Sequence, residues 1–427
     1  MAENHGSPPR FAASLRPPLA SRAKDDFHNS ASPPMSATIR SESGIRYALF
    51  AGLCASFVGV GLARFAYTPL IPALIGAAWL TPAGAAYLGA TNFAGYLAGA
   101  WLSQRLARAV GVRRSLRGAL LLTAISFLAC AWPLNELWLS AWRFIAGFTG
   151  ALLMVLAAPG IVSRLPAARR GIASGVIFTG IGLGIAASGT LLPLLLEQGL
   201  RNVWLGFGAL TLLLTTLSWQ GFQDPPLLPG LPAKPPRQNL RLLRTLYAEY
   251  ALNAFGLVPH IVFFVDFIAR GLGKGIAVGA GYWVIFGLGA SVGPLLGGLL
   301  ADRIGFRNAL RATYALQILV VALPIFDVGP VGLAMSALIA GASAPGVVAL
   351  TIGRTQELLP SEDARRLAWR NCTLMFALAQ ALAAYLLSYV FAQTQGYAIL
   401  FALGAAALSL GLVLDVVLVR GKAPAAR

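Results

Sequence analysis

Three ionisable side chains in this sequence fall where an ionisable side chain is costly. They are Arg64 in "GLARFAYTPLIP" (61–72), Arg143 in "RFIAGFTG" (143–150) and His260 in "VPHIVFFVDFIARGLG" (258–273). Each lies in an apolar run, and an arginine at the centre of a bilayer costs roughly 2.5–3.5 kcal/mol on insertion scales. A guanidinium is a planar fork of donors that matches a carboxylate two bonds at a time, so the two arginines favour an anionic or carboxylate-bearing ligand. The imidazole can change charge near neutral pH. Asp266 is an acid inside an apolar run, and such acids often mark proton relays. His260 and Asp266 are therefore the candidate proton-coupling pair, although residues six apart on an ideal helix point to different faces. Asn92 and Tyr96 add polar groups at similar depth and could orient a ligand.

Each residue also has a plainer reading. Arg64 could pair with Asp266 or snorkel outward, Arg143 could pack helices, and His260 could be a neutral core histidine. Asn92, Tyr96, Asn253 and Gln380 could bond between helices. Glu249, about a turn inside its span, reads as solvated or Arg-paired, and Asp415 as interfacial.

The elements that carry these residues are membrane helices. The chain has 427 residues, 57% hydrophobic and 11% charged, against roughly 25% charged for soluble domains. Spans are predicted at 46–71, 83–104, 115–132, 137–163, 170–194, 202–221, 244–269, 276–301, 308–326, 330–352, 367–391 and 396–419. Long apolar runs exclude a β-barrel, whose strands alternate over about ten residues. The fold class is an all-α membrane protein with twelve transmembrane helices.

The net charge of +18 is a topology signal. With both termini on one side, basic residues crowd the loops there, while the opposite loops hold only Arg201, Arg270 and Lys274. The positive-inside rule makes both termini cytoplasmic, and no nucleic-acid partner is implied. Cys54, Cys130 and Cys372 are isolated and lack metal-ligand spacing.

Residues 1–45 form a cytoplasmic N-terminal tail of disordered composition, within which Met35 is a possible true start. Residues 222–243, including "DPPLLPGLPAKPPRQN" (224–239), read as a cytoplasmic linker whose prolines forbid a continuous helix. It divides a six-helix bundle at 46–221 from another at 244–419, with a cytoplasmic tail at 420–427. Equal halves suggest a duplication. "GGLLADRIGFR" (297–307) and "GAWLSQRLARAVGVRR" (99–114) follow the second span of each half, which sets Gly99 against Gly298. At 1.5 Å per residue, Arg64, Arg143 and His260 lie about 11, 9 and 14 Å below the outer ends of their spans.

Gly298, Asp302, Arg303, Gly305 and Arg307 resemble the cytoplasmic loop signature of the major facilitator superfamily (MFS). "RFIAGFTG" resembles that family's fourth-helix pattern. "GLARFAYTPLIP", "NFAGYLAGA" (92–100) and "VPHIVFFVDFIARGLG" are similar to its YbfB/YjiJ branch. The resemblance implies two pseudo-symmetric bundles, a cavity lined by spans one, four, seven and ten, and a loop motif that helps hold a cytoplasmic gate closed. Arg64, Arg143 and His260, on three of those spans and in one layer, then form a candidate substrate-binding site. The first-half motif is degenerate, with Ser103 where the Asp would stand. "GASVGPLLGG" (289–298) resembles the superfamily's antiporter motif but falls in span eight rather than five, so it reads as helix packing.

The sequence contains no nucleotide-binding loop, metal-ligand helix motif or nucleophile with a matched base, so no cofactor or enzyme activity is expected. The expectation is a monomeric secondary transporter in a bacterial inner (plasma) membrane. It would move a small organic solute by alternating access, coupled to protons and surrounded by lipid. A facilitator or exporter of neutral or cationic compounds is the alternative, and a polytopic membrane enzyme or sensor a remote one.

Overall fold

The computed structural model describes residues 42–165, 169–224, 240–359 and 361–418. The predicted N-terminal tail up to residue 41, Met35, the core of the linker and the C-terminal tail lie outside the described residues. Among the described residues twelve long helical segments follow one another. In the first half α1 is Glu42–Leu62, α2 Pro82–Val110, α3 Val112–Cys130, α4 Glu136–Val162, α5 Arg170–Leu196 and α6 Leu200–Ser218. In the second half α7 is Leu240–Gly271, α8 Ile276–Ile304, α9 Phe306–Ile325, α10 Gly329–Leu358, α11 Glu362–Thr394 and α12 Ala398–Leu418.

Ten of these are long and apolar enough to cross a membrane; α2 and α3 are not among those ten. Leu194, Leu295, Leu319, Leu382 and Val413 all present more than half their surface outward. Apolar exposure of that extent suits hydrocarbon rather than water. The protein is a multi-pass membrane protein. Glu42 and Leu418 mark the tail end of the molecule, and the opposite end is the far end.

Local chemistry sets the helix ends. Thr81, Asn135 and Ser361 cap α2, α4 and α11 by accepting from the backbone N–H groups of Gly84, Trp138 and Ala364, which satisfies donors that a helix start leaves free. Pro82 follows its cap at the first helical position, where its missing N–H costs nothing.

α1 is not the continuous helix expected over 46–71. It passes through a π-helical turn at Phe57–Leu62, breaks at 63–67, and resumes as Thr68–Leu70 and Ile71–Gly76. Pro69 and Pro72 are the cause, because each lacks the N–H that an α-helix needs. Thr68 N bonds Phe65 O and Ile71 N bonds Thr68 O, replacing those donors with tighter turns. α7 is irregular too, with π-helical turns at Pro259–Phe263 and Phe267–Gly271.

The strongest internal repeat relates α2–α4 to α8–α10. α2 packs closely on α4, and α8 on α10. Added Cβ atoms on Gly95, Gly99 and Gly147 would overlap carbonyl oxygens of Phe144, Phe148 and Asn92. On Gly289, Gly293 and Gly341 they would overlap those of Leu338, Ala342 and Phe286. One offset of 194 residues converts each glycine and each carbonyl of the first set into the second. It also relates Gly111 (φ 88°) to Gly305 (φ 80°), and the Thr123–Thr149 hydrogen bond to the one between Gln317 and Ser343. The sequence-based register is therefore corrected. Gly99 pairs with Gly293 rather than Gly298, and Arg108, not Ser103, stands opposite Asp302. Backbone approach fixes this register, because only glycine fits at those crossings.

Candidate functional site

Arg64 lies in the break of α1 and is 7% exposed. Its guanidinium carbon is 4.4 Å from the ring centroid of Tyr96, 4.9 Å from that of Phe93 and 5.3 Å from that of Phe65. Ring faces carry negative charge density, worth about 2 kcal/mol or more to a desolvated cation. The aromatic cage on α1 and α2 is therefore what receives the arginine. Phe65 and Phe93 carry no polar atom and gave no chemical signal in the sequence.

Arg143, on α4, is 1% exposed and lies over the Tyr67 ring at 4.8 Å. Neither arginine is ion-paired to a carboxylate among the described residues. Arg64 Nε and Arg143 Nε and Nη2 are buried without a hydrogen-bond partner there. Unmade hydrogen bonds from a buried charged group are costly, so these donors are groups that an anion could satisfy.

Asn92 joins the two arginine-bearing segments. Its side-chain nitrogen donates to the backbone oxygens of Ala63 (3.1 Å) and Arg143 (2.9 Å), tying the break of α1 to α4. Its own Oδ1 is buried without a partner among the described residues. Tyr96 is 5% exposed and packs with Ala377 of α11, so the layer reaches the boundary between the halves. Tyr250 of α7 lies within coulombic range of Arg64 from the other side of that boundary.

His260 does not join this layer. It is fully buried within the second half, stacked on Phe264 with ring centroids 4.8 Å apart and edge-on to Phe401 of α12. Its Nε2 is 2.7 Å from Ser336 Oγ on α10. Ser336 donates its own hydrogen to the Val320 carbonyl (2.6 Å), so Nε2 carries the proton and donates to Ser336. Nδ1 has no partner among the described residues.

Asp266 does not meet Arg64 either. Both its oxygens accept from Arg270 at 2.5 Å, one turn away, and Tyr397 Oη of α12's approach donates to Oδ2 at 2.6 Å. Four-residue spacing makes Arg270 the nearest possible cation on the helix surface.

In the loop motif, Asp302, Arg303 and Gly305 are exposed, Arg307 is half-buried, and Gly298 has open space where a Cβ would point. Glu357, at the end of α10, ties this loop down by accepting from Phe306 N (3.3 Å) and pairing with Arg354 (2.6 Å). In the first half Asp224 does the corresponding work on Arg113 N (2.9 Å). Neither acid falls inside the motif, so pattern matching passes over both.

The expectation for Glu249 is corrected. α7 begins at Leu240 rather than 244, which puts Glu249 about 14 Å along the helix. It is 4% exposed and has no ion pair among the described residues.

The halves meet from the far end to mid-depth. Thr68 donates to the Ile261 carbonyl, Phe65 meets Trp283 edge-on at 6.2 Å, and Tyr385 lies 3.4 Å from Thr91 Oγ1 and stacks at a tilt on Tyr87. Gly182 of α5 abuts Ser291 of α8, which gives the "GASVGPLLGG" segment its packing role.

Three comparisons place this arrangement among known proteins. The family model described as "Uncharacterised MFS-type transporter YbfB" matches residues 56–416. A probable transporter of Streptomyces coelicolor is 29% identical over 313 residues, covering 70% of this chain and 71% of its own. A crystal structure of a bacterial homologue of the human lysosomal transporter Spinster, inward-facing and unoccupied, superposes with a TM-score of 0.61. It is 16% identical and covers 88% of this chain and 96% of its own, a likeness of fold.

Proposed function

Because the chain belongs to the MFS-type transporter family described for YbfB, we propose that it is a secondary transporter of a small organic anion, carboxylates above all. The observation that carries this reading is the pair of buried guanidiniums, Arg64 and Arg143, with donors unspent and no carboxylate paired to them among the described residues. Arg64, Arg143, Asn92 and Tyr96 are the proposed binding groups. His260, packed inside the second half, is proposed to act on coupling rather than on the ligand directly. Asp266 would act as a far-end latch through Arg270 and Tyr397.

In this reading α2 and α3 complete twelve spans, and the basic tail end faces the cytoplasm of a bacterium across its inner (plasma) membrane. A single chain supplies both halves. Transport proceeds by alternating access, with the far-end contacts parting while the loop at Asp302 and Arg303 engages its neighbours. A proton gradient drives the cycle. A solute shifts such an equilibrium only through its different affinity for the two states.

One observation favours the alternative of a neutral or cationic solute: the aromatic cage already meets the Arg64 charge. Uptake of a panel of organic acids into proteoliposomes, with and without a proton gradient, separates the two. Arg64→Ala or Arg143→Ala is expected to lower anion uptake about tenfold or more, the value of one lost charge-assisted bond. Unchanged anion uptake by the folded double variant would overturn the anion reading.

A further inference from the structure

Three carboxylates are buried among the described residues. Asp266 is held by Arg270 and Tyr397, and Asp415 by Arg311, whose Nη2 also donates to the Asp415 backbone oxygen (3.2 Å). Glu249 is the third, and among the described residues its carboxylate has neither an ion pair nor a hydrogen bond.

Its surroundings are charged without being committed to it. Within electrostatic reach of it are Asp415 on α12, Arg307, Arg311 and Tyr314 on α9, Arg354 on α10 and Cys372 on α11. Arg311 is engaged by Asp415 and Arg354 by Glu357. The Tyr314 hydroxyl, on a side chain 1% exposed, has no partner among the described residues. Asn253, one turn above Glu249, donates to Gln317 (2.6 Å), which donates to Ser343 (2.9 Å). Two turns further up is the His260–Ser336–Val320 chain. Residues 249, 253 and 260 thus present polar groups along the interior of the second half. Two turns of helix separate Asn253 from His260, so these groups are stations rather than a continuous wire.

An isolated carboxylate out of water is unfavourable, and a bound proton removes that cost. A negative charge at Glu249 would draw in the Tyr314 hydroxyl and compete with Asp415 for Arg311, changing how α7, α9 and α12 are tied together. We propose that Glu249 is the carboxyl that takes up and releases the coupling proton, exchanging it with water at the tail end. It acts from inside the second half and apart from the arginine layer. This rests on the transporter reading above.

The test uses the full chain in liposomes with no solute. Infrared difference spectra against pH should contain, within the C=O stretch of neutral carboxyls, a component that is absent in Glu249→Gln and retained in Glu249→Asp. In Asp415→Asn, which frees Arg311 and removes a like charge, the band should vanish at more acidic pH. A second readout is far-end closure, followed as crosslinking between Thr68→Cys and Ile261→Cys in a background without native cysteines. The yield should differ between acidic and alkaline buffer, and Glu249→Gln should abolish that difference. A titrating carboxyl band that is identical in Glu249→Gln and the parent chain overturns the proton site. Crosslinking in Glu249→Gln that still follows pH, or parent crosslinking that ignores pH, overturns the coupling. Because no solute is present, failure of anion uptake would overturn the transport reading while leaving these results standing.

Discussion

The Arg64 guanidinium lies 4.4 Å from the centroid of the Tyr96 ring, closer than to any other ring of its cage. α1 and α2 are thereby joined at the point where α1 breaks. If the ring face does the holding, the phenol hydroxyl is secondary. Tyr96→Phe should leave thermal stability of the purified protein nearly unchanged, and Tyr96→Leu should cost about 0.5–2 kcal/mol. Equal losses in the two variants would transfer the interaction to the hydroxyl.

The carbonyl overlaps at Gly147 and Gly341 predict matched sensitivity in the two halves. Gly147→Ala and Gly341→Ala should each push a helix pair apart and cost about 1–3 kcal/mol, the range for overpacking. Gly281, exposed on α8 with nothing near its Cβ position, is the control. Gly281→Ala should stabilise by roughly 0.5–1 kcal/mol through helix propensity. Denaturant melts of the three variants read both signs.

The sequence suggests Arg64 as the partner of Asp266, and the bidentate contact is made by Arg270 instead. A double-mutant cycle of Asp266→Asn with Arg270→Gln should give a coupling of about 0.5–3 kcal/mol. The same cycle with Arg64→Gln should close near zero. A sizeable coupling to Arg64 would mean that the far-end latch crosses the halves.

Most helix positions follow from hydrophobic runs, because a membrane span must satisfy its backbone internally and so leaves a long apolar signature. The departures have local causes. Pro69 and Pro72 announced the break in α1, yet run length alone carried the span through it. Glu249 looked superficial because the polar first turn of α7 resembles a loop. His260 was grouped with the arginines by depth, and depth is blind to azimuth; Pro259 and its π-helical turn set the azimuth. The Gly99–Gly298 pairing follows a motif, whereas the matched spacing of Gly95, Gly99 and Gly147 with Gly289, Gly293 and Gly341 carries the true register. The cage was half legible, since Tyr96 offers a polar signal and Phe65 and Phe93 offer none.

The constant offset between α2–α4 and α8–α10 sets each site residue against a counterpart in the other lobe. The counterparts of Asn92, Tyr96 and Arg143 are Phe286, Ala290 and Ala337. The two lobes share a skeleton of helix crossings while the chemistry at these positions differs. If the arginine layer binds the solute as proposed, chimaeras between relatives should take their preference from whichever parent donates the amino-terminal lobe.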